Sequence, residues 1–348
     1  MSGPLPGDVH VNAPLTNISI AYMQSADSFV ADKVFPNIPV AKQSDRYYTY
    51  DRGEFNRDEM QERAPGTESA GGSYTLDNTP TYFARVYSFH KDIDDQMRAN
   101  ADDMLNPDRE ATMYVTSKAL IRREKLFVQR FMKPGLWLYD AKGTADGTSA
   151  TGISTRRWDD AASNPVTTMK TAKRTVAENT GYEPNTLVLS RSAYDALIEH
   201  PDIIDRVNRG QTTGAAQVTR QNLAALFEVE RVLVMNAIEN VAKEGQAAQH
   251  RFIGSNNALL CYATKAPGLM TPTAGYTFSW TGLMGSGAMG GRIRSFRMEH
   301  LGSDRVEIDM SFDQKIIGAD LGFYFDDIVS NTTNDANVTD ASSANVLI

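Results

Sequence analysis

The chain has 348 residues, of which 41% are hydrophobic and 22% are charged, and these values are ordinary for a folded protein. The length predicts two domains, or one domain with large insertions. A formal net charge of −8 argues against tight binding of nucleic acid, which depends on many Lys and Arg contacts to phosphate.

The cysteine count and the hydropathy exclude further classes of protein. The single cysteine, Cys261, excludes internal disulfides and cysteine-pair metal sites. No apolar run approaches the roughly 18 residues of a membrane-spanning helix. The first residues lack the basic and apolar parts of a signal peptide. We therefore expect synthesis in a reducing cytoplasm, with no membrane partner.

Residues 1–44 predict an extended N-terminal arm. Prolines at positions 4, 6 and 14 interrupt any regular pattern in its first part. Residues 34–40 are apolar but contain Pro36 and Pro39, which confines them to the edge of a sheet. We expect this second part to be pinned to a core.

Residues 45–89 form the most informative segment of the chain. Residues 46–51 and 81–89 predict two strands, and the polar connection between them is too long for a hairpin turn. From residue 45 to residue 68, four arginines alternate with seven acidic residues, so this stretch is net acidic and unlike a DNA-binding arm. It is either a solvated surface loop or an electrostatic contact to a neighbouring subunit. The candidate contact residues are Arg46, Arg52, Glu54, Arg57, Glu59, Arg63 and Glu68.

A long helix is predicted over residues 107–133. Pro107 is suited to the first helical position, and Pro134-Gly135 ends the pattern. At 1.5 Å per residue the helix spans about 40 Å, enough to cross a domain.

The middle of the chain, residues 140–288, predicts a compact α/β unit. Buried strands are expected at 187–189, 232–235 and 258–262. Helices are expected from Asn164-Pro165 to about Gly181, from Ser190 or Ser192 to Pro201, and around 223–227.

The C-terminal part predicts a different sheet. Residues 305–313 alternate strictly between polar and apolar side chains, which indicates a half-buried strand. Residues 292–301 form its partner, with a turn at 302–304, and residues 321–325 supply a third strand. The Asn, Thr, Ala and Ser-rich residues 329–348 predict a flexible tail.

Two motifs suggest chemistry but favour plainer explanations. Residues 285–290 match the dinucleotide fingerprint, yet a strand-like segment follows where that site requires a helix. A flexible glycine loop is the favoured interpretation. An acidic cluster lacks the glycine and glutamate of a calcium loop and is interpreted as solvated charge near a helix start. Its members are Asp92, Asp94, Asp95, Asp102 and Asp103.

The remaining reactive side chains give no active site. Cys261 lies in an apolar strand, where a thiol is a core residue rather than a nucleophile. The five histidines, at 10, 90, 200, 250 and 300, form no ligand pair. We predict no catalytic residues, no cofactor and no metal.

Several motifs together resemble the major capsid proteins of tailed bacteriophages. They lie at 31–36 (ADKVFP), 48–53 (YTYDRG), 63–68 (RAPGTE), 184–190 (PNTLVLS) and 200–201 (HP). The order of the predicted elements is similar to the mixed α/β Hong Kong 97-like capsid fold. No single motif is diagnostic, but the ordered set covers most of residues 1–328.

The resemblance implies a role for each segment. Residues 1–44 would be the N-terminal arm and 45–89 the extended loop that lies over an adjacent subunit. Residues 90–139 and 289–328 would form the peripheral domain, with its spine helix at 107–133. Residues 140–288 would be the axial domain, which meets its copies at five-fold and six-fold axes.

The implied function is non-enzymatic self-assembly, as hexamers and pentamers, into an icosahedral shell around double-stranded DNA. The implied partners are further copies of the chain, a portal and a possible decoration protein. No lysine occurs from residue 43 to 90, so we predict no covalent cross-link of the kind some members form. Residues 1–25 are too short and proline-rich for a built-in scaffolding segment, so a separate scaffolding protein is expected. The virion is the expected location, after assembly in the host cytoplasm.

Three alternatives remain open at this point. The first is an encapsulin, a cellular compartment of the same fold that loads protein instead of DNA. The second is a dinucleotide-dependent enzyme that uses residues 285–290. The third is a soluble monomeric binding module.

Overall fold

The structure is a computed structural model that describes residues 24–101, 106–148, 152–208, 218–268, 270–284 and 291–330. Within these ranges no helix combines the length and the apolar character needed to cross a membrane. Several predicted features lie outside the described residues. They are the arm up to residue 23, Asp102 and Asp103, the glycine motif at 285–290, and the tail beyond residue 330.

The described residues contain short and long elements in mixed order. The helices are α1 Ala31–Val34, α2 Arg52–Phe55, α3 Asp95–Asn100, α4 Pro107–Phe131, α5 Pro165–Thr180, α6 Arg191–Glu199, α7 Pro201–Asn208, α8 Arg220–Phe227 and α9 Thr281–Met284. The first strands are β1 Asn37–Val40, β2 Ser44–Arg46, β3 Thr49–Tyr50, β4 Leu76–Asp77, β5 Thr81–Phe83, β6 Arg85–Asp94, β7 Tyr139–Thr144, β8 Ile153–Arg156 and β9 Thr186–Ser190. The later strands are β10 Arg231–Met235, β11 Ile238–Asn240, β12 His250–Phe252, β13 Ala258–Cys261, β14 Gly275–Trp280, β15 Gly291–Met298, β16 Ser303–Ile316 and β17 Gly322–Asp326.

These elements form two compact units. The first unit comprises Met1–Phe127 and Thr264–Gly318, and the second comprises Val128–Ala263 and Ala319–Ile348. The domain limits predicted from the sequence stay predictions, although the observed division falls at different residues.

The first unit is built on the long strand β16. β15 and β6 flank its first part, β14 pairs with its last part, and β1 joins β14 as a parallel edge strand. The alternation in β16 places Val306, Ile308, Met310 and Phe312 against one side of α4. The predicted strand is therefore confirmed, but it is half-buried only near its start, because Asp309, Ser311 and Asp313 on the predicted polar face are also buried. The edge position of the proline-containing segment that holds β1 is confirmed.

Helix α4 begins at Pro107 as predicted but ends at Phe131, two residues before the predicted end. Asn106 caps its start, because its side-chain oxygen accepts a hydrogen bond from the Arg109 amide at 3.0 Å. Pro134 disfavours helical backbone at the residue before it, which shortens the last turn. The 25 residues span about 37 Å.

A buried carboxylate on α4 holds the N-terminal segment. Oε2 of Glu124 accepts hydrogen bonds from the amides of Val30 at 3.1 Å and Ala31 at 2.9 Å. Beside it, Arg123 forms an ion pair with Asp32, and both partners are largely buried. The sequence analysis missed this contact, because helical spacing assigns residues to a face but does not identify a partner about 94 positions away.

The second unit contains a six-stranded sheet in the order β10-β9-β13-β17-β7-β8. Its core combines β9, β13 and β17 with α5, α6 and α8 around the fully buried Trp158. The predicted caps are present: Asn164 accepts from the Thr167 amide, Ser190 accepts from the Ala193 amide, and Gly181 ends α5 with φ 75°. The predicted strands and helices of this region are confirmed.

One strand lies in a different sheet from the one expected. β17 was predicted as a third strand of the C-terminal sheet, but it pairs with β13 and β7 in the second unit. The prediction was wrong because side-chain periodicity reports which faces are buried, not which strand is the neighbour. β14, for which no sheet was predicted, pairs with β16 in the first unit. The predicted strand 292–301 also ends earlier, at Met298, and a short 3-10 turn follows.

Candidate subunit interface in the extended loop

Residues 44–83 form one long, interrupted hairpin. β2 pairs with β5 next to the sheet, and β3 pairs with β4 farther out. Each of these strands has only two or three residues, so the strand predicted at 46–51 is interrupted. The strand predicted at 81–89 is present apart from a break at Ala84, which divides it between β5 and β6. Short rungs separated by irregular backbone keep the two branches together without forming a sheet of their own.

The base of the loop is fixed to the first unit. The Tyr82 ring stacks on Phe278 with 4.7 Å between ring centroids, and Tyr47 stacks on the same ring at 5.6 Å. The Phe83 amide donates a hydrogen bond to Oδ2 of the buried Asp313 at 3.0 Å. Burial, together with the nearby Asp313 carboxylate, raises the pKa of the Tyr47 hydroxyl. The loop therefore leaves the sheet from a defined position.

The outer part of the loop is almost entirely exposed, because the rest of its own chain does not bury it. Every residue from 51 to 79 is exposed except Glu54, which is half-buried. The apolar area that normally stabilises ordered backbone is missing here. This agrees with a segment whose contacts lie outside its own domain.

The predicted contact residues are distributed along the loop and do not form one cluster. Arg57 pairs with Glu59 at 3.3 Å, and Nε of Arg63 donates to the Thr67 carbonyl at 2.5 Å. Glu54 accepts from the Thr75 amide and hydroxyl, so its carboxylate joins the two branches. Arg46, Arg52 and Glu68 are exposed. Of the seven residues, Glu54 thus has a role within the loop, and the contact roles of all seven stay predictions.

Sequence reasoning missed an aromatic cluster in the loop. The rings of Tyr50, Phe55 and Tyr74 lie 5.6–6.0 Å apart, and Phe55 and Tyr74 are 49% and 62% exposed. Met60 is 92% exposed nearby in the sequence. Aromatic residues and Met are enriched at protein interfaces, where they supply most of the binding energy. Phe55 and Met60 within a strongly charged run were the available signal.

The other chemically active side chains are occupied by the fold. Cys261 is fully buried, and burial raises the pKa of its thiol to about 12. Asp94 and Asp95 of the acidic cluster are exposed at the start of α3, as expected, and Asp95 also pairs with Arg297. Asp92 forms an ion pair with Arg305, which the sequence did not predict. Within the described ranges no group of three or more His, Cys, Asp or Glu residues is arranged to hold a metal ion.

Comparison with known proteins identifies similar chains. The family model "Phage major capsid protein E" matches residues 110–276. The major capsid protein of Pseudomonas phage JBD67 is 28% identical over 324 residues, which cover 92% of this chain and 97% of that protein.

Solved structures share the fold at low sequence identity. A phage-related protein from Bordetella bronchiseptica RB50 matches with a TM-score of 0.65 at 21% identity, over 88% of this chain and 94% of that chain. The capsid of cyanophage P-SCSP1u matches with a TM-score of 0.57 at 10% identity, over 93% and 94%. The SrpI encapsulin of Synechococcus elongatus PCC 7942 matches with a TM-score of 0.53 at 12% identity, over 92% and 94%.

The structural matches establish the Hong Kong 97-like fold predicted from the order of elements. Because phage capsids and an encapsulin share that fold, the fold alone does not separate the two. The family model and the curated relative both name phage capsid proteins. The chain is therefore similar to phage major capsid proteins, and these matches support the function of a shell-forming capsid protein that its sequence predicts.

Proposed function

We propose that the chain assembles as hexamers and pentamers into an icosahedral shell that encloses double-stranded DNA, without enzymatic activity. The observation that carries the proposal is the long exposed loop with a fixed base. Ordering a polar segment of this length costs conformational entropy, and favourable contacts have to offset that cost. A neighbouring copy of the chain supplies these contacts. The buried Cys261 agrees with a structural role.

The loop's contact combines charge with apolar anchors. Single exposed ion pairs contribute about 0.2–1 kcal/mol each, too little to close a shell. The exposed side chains of Phe55, Tyr74 and Met60 supply the larger apolar contribution, while the charged residues set the register on the neighbour. The loop at 45–89 thus acts as a clasp between subunits.

The other roles follow the same assignment. The second unit, which includes most of the predicted axial domain, meets its copies at the five-fold and six-fold axes. A portal, a separate scaffolding protein and a decoration protein complete the particle, which assembles in the host cytoplasm. An encapsulin-like compartment is the alternative; nuclease-protected DNA inside purified particles supports the phage assignment, and protein cargo without DNA contradicts it.

Electron microscopy of the purified chain tests the assembly itself. We expect rings with five-fold and six-fold symmetry, or closed shells, because one sequence serves both environments. Sedimentation at the 38.3 kDa of a single chain, with no larger species at any protein concentration, would contradict the proposal.

Denaturing gels of purified shells test the nature of the clasp. Because residues 43–90 contain no lysine, we expect one band near 38.3 kDa after boiling. A matched sample without boiling shows whether the shells themselves are stable. A ladder of multiples in the boiled sample would show that a covalent bond forms through other residues.

A further inference from the structure

The two faces of the β6-β16-β15 sheet carry charge in different ways. On the face away from α4, arginines are paired with carboxylates. Arg305 binds Asp92 at 2.7 Å, Arg294 binds Glu307 at 2.8 Å and Arg292 binds Asp309 at 3.3 Å. Positive and negative charge therefore balance on that face. Arg297 is opposite Asp304 in the register, so it lies at one end of the α4 side, where it binds Asp95 at 2.5 Å.

The side that carries α4 exposes cations next to aromatic rings. Lys118 lies over the Tyr114 ring at 5.3 Å, and Arg122 lies over the Tyr87 ring at 5.2 Å. The Phe89 ring packs against the Tyr114 ring, with 5.8 Å between the two ring centroids. Arg85 occupies the same side of β6, because it is two residues before Tyr87. We call these residues the basic–aromatic face: Arg85, Tyr87, Phe89, Tyr114, Lys118 and Arg122.

The three cations of this face form no salt bridge with any residue that the structure describes. Lys118 and Arg122 are four positions apart on α4, a like-charge spacing that destabilises a helix by a few tenths of a kcal/mol. Glu110, one turn before Tyr114, is the acid at the end of this row. In a chain of net charge −8, an exposed row of one sign needs a partner of the opposite sign.

The sign pattern of the face indicates the partner. The extended loop alternates arginine and acid, as in the Arg57–Glu59 pair, so a surface complementary to it would carry both signs. The basic–aromatic face is almost uniformly positive, which suits a uniformly negative polymer. The cation–π contacts keep Lys118 and Arg122 at the surface, so little side-chain entropy is lost on binding.

We propose that the basic–aromatic face contacts the phosphate backbone of the nucleic acid enclosed by the shell. The inference rests on the proposed enclosure of DNA and adds which side of the first unit faces it. Three phosphate contacts give a slope of log K against log salt of about −3, and no dependence on base sequence. Such weak contacts reduce repulsion between the acidic chain and its genome without trapping it.

Fluorescence anisotropy with labelled duplexes of about 30 base pairs tests the proposal on the purified full chain. We expect measurable binding at about 50 mM salt that weakens steeply by about 200 mM and is equal for AT-rich and GC-rich duplexes. Replacing Lys118→Glu and Arg122→Glu together should lower the affinity about tenfold at the lower salt and reduce the slope by about 2. Lys118→Gln with Arg122→Gln provides a milder pair if the reversal impairs folding, as judged by melting temperature.

The matched control changes the same total charge elsewhere. Lys170→Glu with Lys243→Glu replaces two exposed lysines of the second unit, and we expect less than a twofold loss. Equal losses in both pairs would mean that only net charge matters and would overturn the proposal. DNA binding by the face variant at the level of the unaltered chain would also overturn the proposal. If the face variant bound DNA normally but failed to assemble into shells, the face would instead contact another subunit, and the proposal would be overturned. Failure of the unaltered chain to form shells would instead contradict the proposed function.

Discussion

Deleting residues 53–72 is expected to abolish closed shells while leaving folded capsomers. The deletion removes exposed backbone together with Phe55 and Met60, but it keeps the stacked base formed by Tyr47, Tyr82 and Phe278. The fold of the first unit should therefore persist, and the contact to the neighbour should be lost. Electron microscopy under conditions in which the full chain closes, with circular dichroism as a folding check, measures both outcomes.

A linker of equal length separates the side chains from the connection itself. Replacing residues 53–72 with glycine and serine retains the reach of the loop but removes its aromatic and charged groups, and we again expect no closed shells. The single substitution Arg63→Ala should assemble normally, because one exposed charge contributes less than about 1 kcal/mol. Intact shells from the deletion would refute the assignment of the loop as a clasp.

Substitution of Glu124 is expected to have the largest effect on stability. Glu124→Ala leaves the buried amides of Val30 and Ala31 without an acceptor, and each such loss costs about 1–3 kcal/mol. We expect the free energy of unfolding, measured by urea titration of the unassembled chain, to fall by about 2–5 kcal/mol. The residues before α1 should become accessible to proteases at the same time. Native stability of this variant would show that the contact contributes little.

The same carboxyl predicts how stability depends on pH. Burial raises the pKa of Glu124 from 4.5 to about 7, so the folded state binds this proton more strongly than the unfolded state. Its contribution is complete below pH 4.5 and is lost as the pH rises to about 7, a change of about 3 kcal/mol. Burial also raises the pKa of Asp32, which acts in the same direction.

The uncharged isostere isolates this dependence. Glu124→Gln should flatten the decline in stability between pH 4.5 and 7, because the amide keeps an acceptor but does not titrate. Glu178→Gln, a change at an exposed helical position, is the matched control and should leave the profile unchanged. An unaltered profile in Glu124→Gln would assign the dependence to other groups.

Local signals in the sequence were sufficient for most individual elements. Pro107 and Asn164 mark helix starts, Gly181 marks a helix end, and the alternation in residues 305–313 marks a strand; all of these elements are present in the structure. The burial of the polar face of that strand from Asp309 onward did not follow from its alternation. Such features depend on residues a few positions apart, where capping and periodicity operate. The exposed character of the loop followed from its composition for the same reason.

These local signals could not predict which segments pair when they are distant in the sequence. β17 is buried on both faces and lies between strands at 139–144 and 258–261, but nothing in its own residues names those partners. The same holds for Glu124. Its sequence context predicts only a charged residue on a helix, and its role is evident only from its contact with the segment at 30–31. In the loop, Phe55 and Tyr74 are separated by 19 positions, and only the paired branches bring their rings together.

The stacked rings at the base of the loop allow the loop to act as a lever. Phe278, which stacks with both Tyr47 and Tyr82, is the pivot, and the 17 residues from Tyr47 to Arg63 span at most about 60 Å when extended. A rotation of the loop by a few degrees about Phe278 displaces the far end of the loop by several Å. Small differences in sheet orientation between subunits are thereby converted into large differences in where the loop ends, so one rigid base can serve neighbours at more than one angle.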